Sequence, residues 1–234
     1  MSADELLVTL FDGKPHALAA PMGEWLASSR RFATFVSENR TKIRKKLRST
    51  EEREAARDLA LELETAYLLL RERSLSLVYE PPPRASTRHP DFAVSFTTSL
   101  TFMLEVTRLR SDESGRSFEE RLIDAVCGKL GQLAPGSGNV LLVGVDGRSV
   151  DVSELRAILL RLQQRAERSE AWLMQRYGFR ERAEFFQHYY RLSALLVRPI
   201  PLKPGAAASM WENPQGRHLL TPKARTALAR SHTP

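Results

Sequence analysis

Two short runs near the middle of the chain alternate between apolar and polar residues, with a polar bend between them. Every second position is apolar, in the series Phe92, Val94 and Phe96 and then Phe102, Leu104 and Val106. A period of two is typical of a strand with one buried face, and the Thr and Ser residues at 97–99 favour a turn. The pattern predicts a β-hairpin with Glu105 and Thr107 on the opposite face.

Helical periodicity flanks this hairpin on both sides. Residues 51–72 carry an apolar stripe at intervals of three and four, formed by Ala55, Leu59, Leu63, Ala66 and Leu70. Residues 117–133 begin with Ser117 and Glu120 in capping-box spacing and then show a second apolar stripe. The continuous apolar run at 139–147 is typical of a strand buried on both faces. With a strand at 75–79, the predicted order is αβββαβ.

The remaining segments are expected to decorate one α/β domain with a mixed sheet flanked by helices. Helices are predicted at 153–177 and 181–190, a strand at 195–200 and a short helix from Thr221, whereas LLVTLF near the N-terminus is ambiguous and resembles a short strand. The length of 234 residues suits a single core with additions. We divide it into an N-terminal segment with a basic helix (1–57), the α/β core (58–200) and a C-terminal cover or tail with helical additions (201–234).

Positive charge is concentrated near the N-terminus. The net charge is +7, and residues 30–48 are rich in Arg and Lys, with Glu38 as the single acid. Apolar residues at helical spacing predict that this stretch is a helix docked on the core with a basic outer face, which favours nucleic acid, most simply DNA, as partner. The alternative is a basic face that only meets solvent. The side chains expected to contact phosphates are Arg40, Lys42, Arg44, Lys45, Lys46 and Arg48, together with Arg88 from the loop before the hairpin.

The composition also limits the compartment and the chemistry. No apolar run approaches the roughly 18 residues of a membrane span, and the N-terminus lacks the basic and apolar regions of a signal peptide. We therefore expect a cytoplasmic protein without a membrane partner. Cys127 is the single cysteine, which excludes an intramolecular disulfide and a multi-cysteine metal site.

Two acids are predicted to lie side by side on the hairpin. A turn centred on Thr98 and Ser99 would place Asp91 across from Val106 and beside Glu105. Adjacent carboxylates repel each other, and either a divalent cation or a shared proton relieves that repulsion; we expect Mg²⁺ or Mn²⁺. Thr107 would add a hydroxyl to the same polar cluster. The alternative is an exposed sheet face where these side chains contact only water.

The flanking helices carry polar residues on their apolar sides. Glu62 lies between Ala66 and Leu69 on the helical wheel, so it is expected to face the acids or to pair with an Arg, whereas Glu64 is expected to be solvated. Lys129 lies inside the apolar arc of the second helix with Gln132 at its rim. It would either meet the buried acids or extend its ammonium group to solvent.

This arrangement resembles the PD-(D/E)XK, or restriction-endonuclease-like, superfamily of nucleases. Pro90 and Asp91 match the PD element, Glu105 matches the second acid, and Glu62 matches the acid of the first helix. The resemblance implies a restriction-endonuclease-like fold in which Asp91, Glu105 and Glu62 hold Mg²⁺ and a phosphodiester is hydrolysed. It also makes a homodimer plausible, because many nucleases of this fold cut two strands.

The chain departs from the family pattern at its third element. Thr107 stands where the motif has Lys, and a hydroxyl carries no positive charge and is no base near pH 7. Some members of the superfamily place this lysine on the following helix, and Lys129 with Gln132 would fit that variation. The sequence therefore leaves two main alternatives, a metal-dependent nuclease and an inactive relative that binds nucleic acid or protein.

Overall fold

The computed structural model describes residues 2–50, 52–82, 90–97, 100–110, 115–202 and 206–233. Their backbone forms one six-stranded mixed sheet in which the strands lie side by side in chain order. β3, β4 and β5 are parallel, and β1–β2, β2–β3 and β5–β6 are antiparallel pairs. The strands are β1 (Leu75–Tyr79), β2 (Phe92–Phe96), β3 (Leu100–Leu109), β4 (Gly138–Asp146), β5 (Leu192–Ile200) and β6 (Ser209–Glu212).

Helices cover both faces of the sheet, so the α/β class predicted from the sequence is confirmed. In chain order they are α1 (Ala3–Phe11), α2 (Ala19–Ser28), α3 (Arg30–Glu38), α4 (Arg40–Arg48), α5 (Arg53–Arg71), α6 (Phe118–Leu130), α7 (Val152–Glu167), α8 (Ala171–Tyr177), α9 (Arg182–Tyr189) and α10 (Pro222–Ser231). One apolar core joins α1–α5 and α10 to the sheet, and a second joins α6–α9 to the other face. The segment α5–β1–β2–β3–α6–β4 follows the predicted order.

The central strand β4 explains how the two cores form. Val140 and Leu142 belong to the α5-side core, whereas Leu141 and Val143 belong to the α6-side core, as the period of two requires. β4 is buried along nearly its whole length, which agrees with its continuous apolar sequence. Parallel pairing with β3 follows because α6 carries the chain back across the sheet.

A glycine in β4 lets α5 approach the sheet closely. A Cβ atom on Gly144 would lie 2.7 Å from Leu61 Cδ2, and it would also collide with Ile200. Gly144 is paired with Arg108 of β3 on one side and with Arg198 of β5 on the other. The absence of a side chain at Gly144 therefore lets α5 pack closely on β4, the neighbour of the strand that carries Glu105.

The hairpin forms as predicted, but its register differs by one residue. Phe92 pairs with Leu104, and Phe96 pairs with Leu100, so residues 97–99 connect the strands. The prediction of Asp91 across from Val106 assumed a two-residue turn and was wrong. Thr97, directly after β2, adopts a left-handed conformation with φ 53°. The predicted turn residues Thr98 and Ser99 lie outside the described residues.

Several helix boundaries also differ from the prediction. LLVTLF is helical in α1, and the basic stretch is two helices instead of one. Asn39 separates α3 from α4, and its Nδ2 donates to Phe35 O at 2.8 Å, which ends α3. The predicted helix at 153–177 is also divided, because Ser169 has φ 52° between α7 and α8. Gly178 ends α8 in the left-handed conformation, as expected of a C-terminal glycine.

The terminal segments are part of the same packing. Met22, Phe32 and Ile43 from the N-terminal helices share the α5-side core with Leu228 of α10. Across the described ranges, every helix is too short or too polar to cross a lipid bilayer.

Candidate active site

The candidate site lies where β3 extends beyond the end of β2. The ladder between them stops at Phe92 and Leu104, so the next residues of β3 pair with β4 alone. Asp91 occupies the place where β2 would continue. Its Oδ2 accepts the N–H of Val106 at 2.7 Å, which satisfies a backbone donor that lacks a strand partner. Asp91 is thereby held beside Glu105.

Glu105 meets the lysine of the following helix. Its side chain is only 6% exposed, and Lys129 Nζ lies 3.1 Å from Glu105 Oε2. Lys129 also donates to Gln132 Oε1 at 3.4 Å, and Gln132 Nε2 donates to Gly128 O at 3.1 Å. Lys129 of α6 thus directs its ammonium group at the sheet, and Gln132, just after the end of α6, accepts a hydrogen bond from it.

Glu62 reaches the same region from α5. Its Oε1 accepts hydrogen bonds from Lys46 Nζ and from the Tyr79 hydroxyl, both at 2.6 Å. Lys46 also pairs with Glu80 Oε1 at 2.9 Å. Glu62 is 13% exposed at its side chain, so these two donors satisfy a nearly buried carboxylate.

The electrostatics of Asp91 show that the acids share one environment. Burial, followed by the negative charges of Glu62 and Glu105, raises the pKa of Asp91 to about 7. The hydrogen bond from Val106 and the charge of Lys129 oppose that increase. Three charged groups from α5, β3 and α6 therefore act on the buried carboxylate of Asp91.

The same charges influence the two residues that hold Glu62. Burial raises the pKa of Tyr79, and the adjacent Glu62 carboxylate adds to the effect, so the phenol stays protonated. Burial alone would lower the pKa of Lys46, but attraction to Glu62 and Glu80 outweighs it, and the net shift is upward. Lys46 therefore remains a cation inside the site.

A cavity of about 380 Å³ opens beside these groups. Its lining includes Lys46, Glu62, Thr107 and Lys129, and it is bounded by α4, α5, β3 and α6. Thr107 lies on its wall with Val106 and is partly exposed. Charged groups from four elements thus line a space that is open to the surface.

The chemistry of the acids fits a hard divalent cation. Asp91, Glu105 and Glu62 offer only oxygen ligands, which Mg²⁺ and Mn²⁺ prefer, and their mutual repulsion would be relieved by such an ion. Within the described part of the chain, no three His, Cys, Asp or Glu side chains are grouped closely enough to hold a metal ion. Glu62 and Glu105 instead contact Lys46 and Lys129.

The predicted phosphate-binding residues are distributed differently from the prediction of one basic outer face. Arg44 and Arg48 both pair with Asp12, and Lys42 Nζ donates to Tyr79 O at 2.9 Å. Lys46 points into the site, whereas Arg40 and Lys45 are exposed. Arg88 lies outside the described residues.

Two features of the site were not predicted from the sequence. One is the contact of Lys46 and Tyr79 with Glu62. The other is Arg108, whose side chain is fully buried. It pairs with Asp58 at 2.9 Å, with Asp146 at 3.1 Å and with Glu54. The sequence does contain an indication of these contacts. Arg108 is two residues after Val106 and therefore lies on the face of β3 that is turned toward α5, and Glu54 and Asp58 are four residues apart on one face of α5.

The geometry of these side chains is the basis for any assignment of function. The resemblance to PD-(D/E)XK nucleases stays a prediction. No protein-family model matches the chain, and no curated protein or solved structure shows detectable similarity to it.

Proposed function

We propose that this protein is a Mg²⁺-dependent nuclease of the restriction-endonuclease-like fold that hydrolyses phosphodiester bonds in nucleic acid. The observation that carries the proposal is that Glu62, Glu105 and Lys129 all act on the buried carboxylate of Asp91, while Glu62 and Lys129 line one open cavity beside it. A buried acid with a perturbed pKa, grouped with other acids and a cation beside a cleft, is typical of catalytic sites.

In this proposal each residue has a distinct role. Asp91 and Glu105 would hold the divalent ion directly, and Glu62 would support it from α5. The ion, when bound, supplies an activated water nucleophile and neutralises charge on the phosphoryl oxygens. Lys129, oriented by Gln132, would position the nucleophile or stabilise the developing anion, which is the role that Thr107 cannot perform.

The basic helix α4 would bring nucleic acid, most simply DNA, to the cavity. Arg40 and Lys45 are exposed on α4, and the side chain of Arg48 is 63% exposed although it pairs with Asp12. These cations would contact backbone phosphates without reading sequence. Because Lys46 on the same helix lines the cavity, the polymer would be bound close to the acids.

Cleavage assays with a conservative variant test the proposal. We expect Mg²⁺- or Mn²⁺-dependent cleavage of plasmid or single-stranded DNA, and we expect Glu105→Gln to reduce its rate by at least about 100-fold because a ligand to the ion is lost. Glu38→Gln, which alters an exposed acid on α3, is the matched control and should retain the wild-type rate. Equal rates in the wild type and in Glu105→Gln would contradict the proposal.

A second candidate is an inactive nuclease-fold protein that binds nucleic acid or another protein. The observation in its favour is that lysines already neutralise Glu62 and Glu105, at 2.6 and 3.1 Å, while Thr107 replaces the expected Lys. Calorimetric titration with Mn²⁺ separates the two candidates. Heat of binding that is present in the wild type and lost in Asp91→Ala supports the nuclease, whereas its absence from both supports the inactive protein.

A further inference from the structure

A second and larger groove lies next to the candidate site. It has a volume of about 1070 Å³ and runs between the α1–α2 connection, the end of α4 and the first half of α5. Thr50 lines both this groove and the 380 Å³ cavity of the candidate site, called the catalytic cavity below. The two spaces therefore meet at the N-terminal end of α5, on opposite sides of that helix. We call this space the α1–α5 groove.

The α1–α5 groove combines an apolar floor with a basic rim. Leu10, Phe11 and Leu47 contribute to the floor. The rim carries four cations and one acid, and the acid, Asp12, is already paired with Arg44 and Arg48. The cations of the rim are Lys14, Arg48, Arg53 and Arg57, and Arg57 also pairs with Glu54 at 3.3 Å and with Asp146 at 2.9 Å. Such a rim is complementary to an anionic ligand that also has apolar parts.

An aromatic pair marks one end of the α1–α5 groove. The rings of Phe11 and His16 have centroids 5.2 Å apart and are tilted by 33°. His16 Nδ1 accepts the N–H of Leu18 at 3.1 Å, which fixes the imidazole on the groove wall. Partial burial lowers the pKa of His16, so the ring is neutral at pH 7 and offers an aromatic surface without charge.

We infer that the α1–α5 groove binds an unpaired nucleic-acid strand, with its bases on the apolar floor and its phosphates on the basic rim, and leads it around the end of α5 into the catalytic cavity. This inference rests on the proposed function, whose substrate it specifies. Bases can reach an apolar floor only when they are unpaired, because a duplex presents phosphates and groove edges.

Binding measured without divalent cations tests the inference separately from cleavage. Fluorescence anisotropy in EDTA, with a labelled oligothymidylate of about 12 nucleotides, reports binding by the full chain. Charge reversal of two exposed rim residues, Lys14→Glu with Arg53→Glu, should weaken binding at least about tenfold at low salt. It should also reduce the salt slope, the change of log K with log salt concentration, by about 1.4, because each lost phosphate contact contributes about 0.7. Arg156→Glu with Arg180→Glu changes the net charge equally on exposed remote residues and should leave the affinity within about twofold of wild type.

A second variant examines the base contacts. His16→Ala should weaken oligothymidylate binding by about fivefold or more, the scale of one stacking contact, with an unchanged salt slope. Three results would overturn the inference. The first is wild-type affinity in the protein that carries both Lys14→Glu and Arg53→Glu. The others are binding of a duplex hairpin as tight as or tighter than that of the oligothymidylate, and binding of polyglutamate in its place. Asp91→Ala should lose cleavage and still bind the oligothymidylate in EDTA. Binding by the wild type without any Mg²⁺- or Mn²⁺-dependent cleavage would contradict only the proposed function.

Discussion

At the scale of single residues, Lys46 shows how one side chain can have a different role from its neighbours. The basic stretch predicts that Lys46 contacts phosphate, yet its ammonium group lies 2.6 Å from Glu62. Lys46 is three residues after buried Ile43 and directly precedes buried Leu47, so it lies on the flank of α4 that turns toward the core. The helical wheel of α4 therefore indicates that Lys46 lies near the core, whereas the high density of positive charge in this stretch suggests only an exposed basic residue.

Glu64 is a second residue whose environment reverses the prediction. It was expected to be solvated, whereas its Oε2 lies 2.6 Å from Nη2 of Arg198, an arginine that is fully buried in β5. Arg198 also influences His232, which is fully buried near the C-terminus. The pKa of His232 is lowered to about 3, mainly by burial and secondly by the positive charge of Arg198.

The depressed pKa of His232 predicts a specific loss of stability in acid. Above pH 6.5 the ring is neutral in both states, but below it the unfolded chain binds a proton that the folded chain excludes. The free energy of unfolding should therefore fall by about 1.4 kcal/mol per pH unit from pH 6.5 toward pH 3 because of this residue. Urea unfolding at pH 7 and pH 4.5 measures the change.

The substitution His232→Leu isolates the contribution, because other groups titrate equally in both proteins. The stability difference between the two pH values should be smaller in His232→Leu than in the wild type by roughly 2–3 kcal/mol. His218→Gln, at an exposed histidine, should behave as the wild type. Identical pH dependence in wild type and His232→Leu would contradict the assigned environment of the ring.

At the scale of elements, ion pairs between α5 and the sheet hold the candidate site together. Glu54 and Asp58 of α5 contact Arg108 of β3, and Glu64 contacts Arg198 of β5. Between the two arginines lies Gly144, where Leu61 packs against the strand. The helix that carries Glu62 is thus fixed at both ends of its contact with the sheet.

Arg108 should therefore contribute strongly to stability. In Arg108→Met the three carboxylates of Glu54, Asp58 and Asp146 lose a buried cation, and we expect the free energy of unfolding to fall by about 3–5 kcal/mol. Urea unfolding followed by far-UV circular dichroism measures the loss. The matched control is Arg110→Met, because Arg110 pairs with Asp58 from a side chain that is 61% exposed. It should cost less than about 1 kcal/mol, and equal costs for both variants would refute the role of Arg108.

At the scale of the whole molecule, the two cores lie on opposite faces of one sheet. Phe32 of α3 and Leu228 of α10 both belong to the α5-side core, although one lies in the segment 1–57 and the other in the segment 201–234. β4 contributes to both cores through alternate residues. Strain or loss of packing on one face should therefore be transmitted to the other.

A core substitution in the N-terminal segment tests whether the chain unfolds as one unit. Phe32→Ala should lower the free energy of unfolding by about 3–5 kcal/mol and leave a single transition, because its fully buried ring packs in the shared core. Val8→Ala, at a position 64% exposed on α1, should cost less than about 0.5 kcal/mol. Far-UV and near-UV circular dichroism during urea unfolding provide the measurement. Two separated transitions, with only the first shifted, would show that segment 1–57 folds independently.

The periodic pattern by itself determined the hairpin, helix α6, the doubly buried strand β4 and the face on which Glu105 and Lys129 lie. These features follow from local geometry, since a period of 2 or 3.6 assigns each side chain to a face. The same pattern placed Glu62 toward the core.

Only the tertiary structure decided which groups those side chains meet. The contact of Lys46 and Tyr79 with Glu62 and the three ion pairs of Arg108 join residues that are far apart in the chain. No local period encodes such partners, because burial and charge select them when α4, α5 and β3 pack together. Asp91 is beside Glu105 for the same reason, since a backbone N–H at the uncovered edge of β3 requires an acceptor.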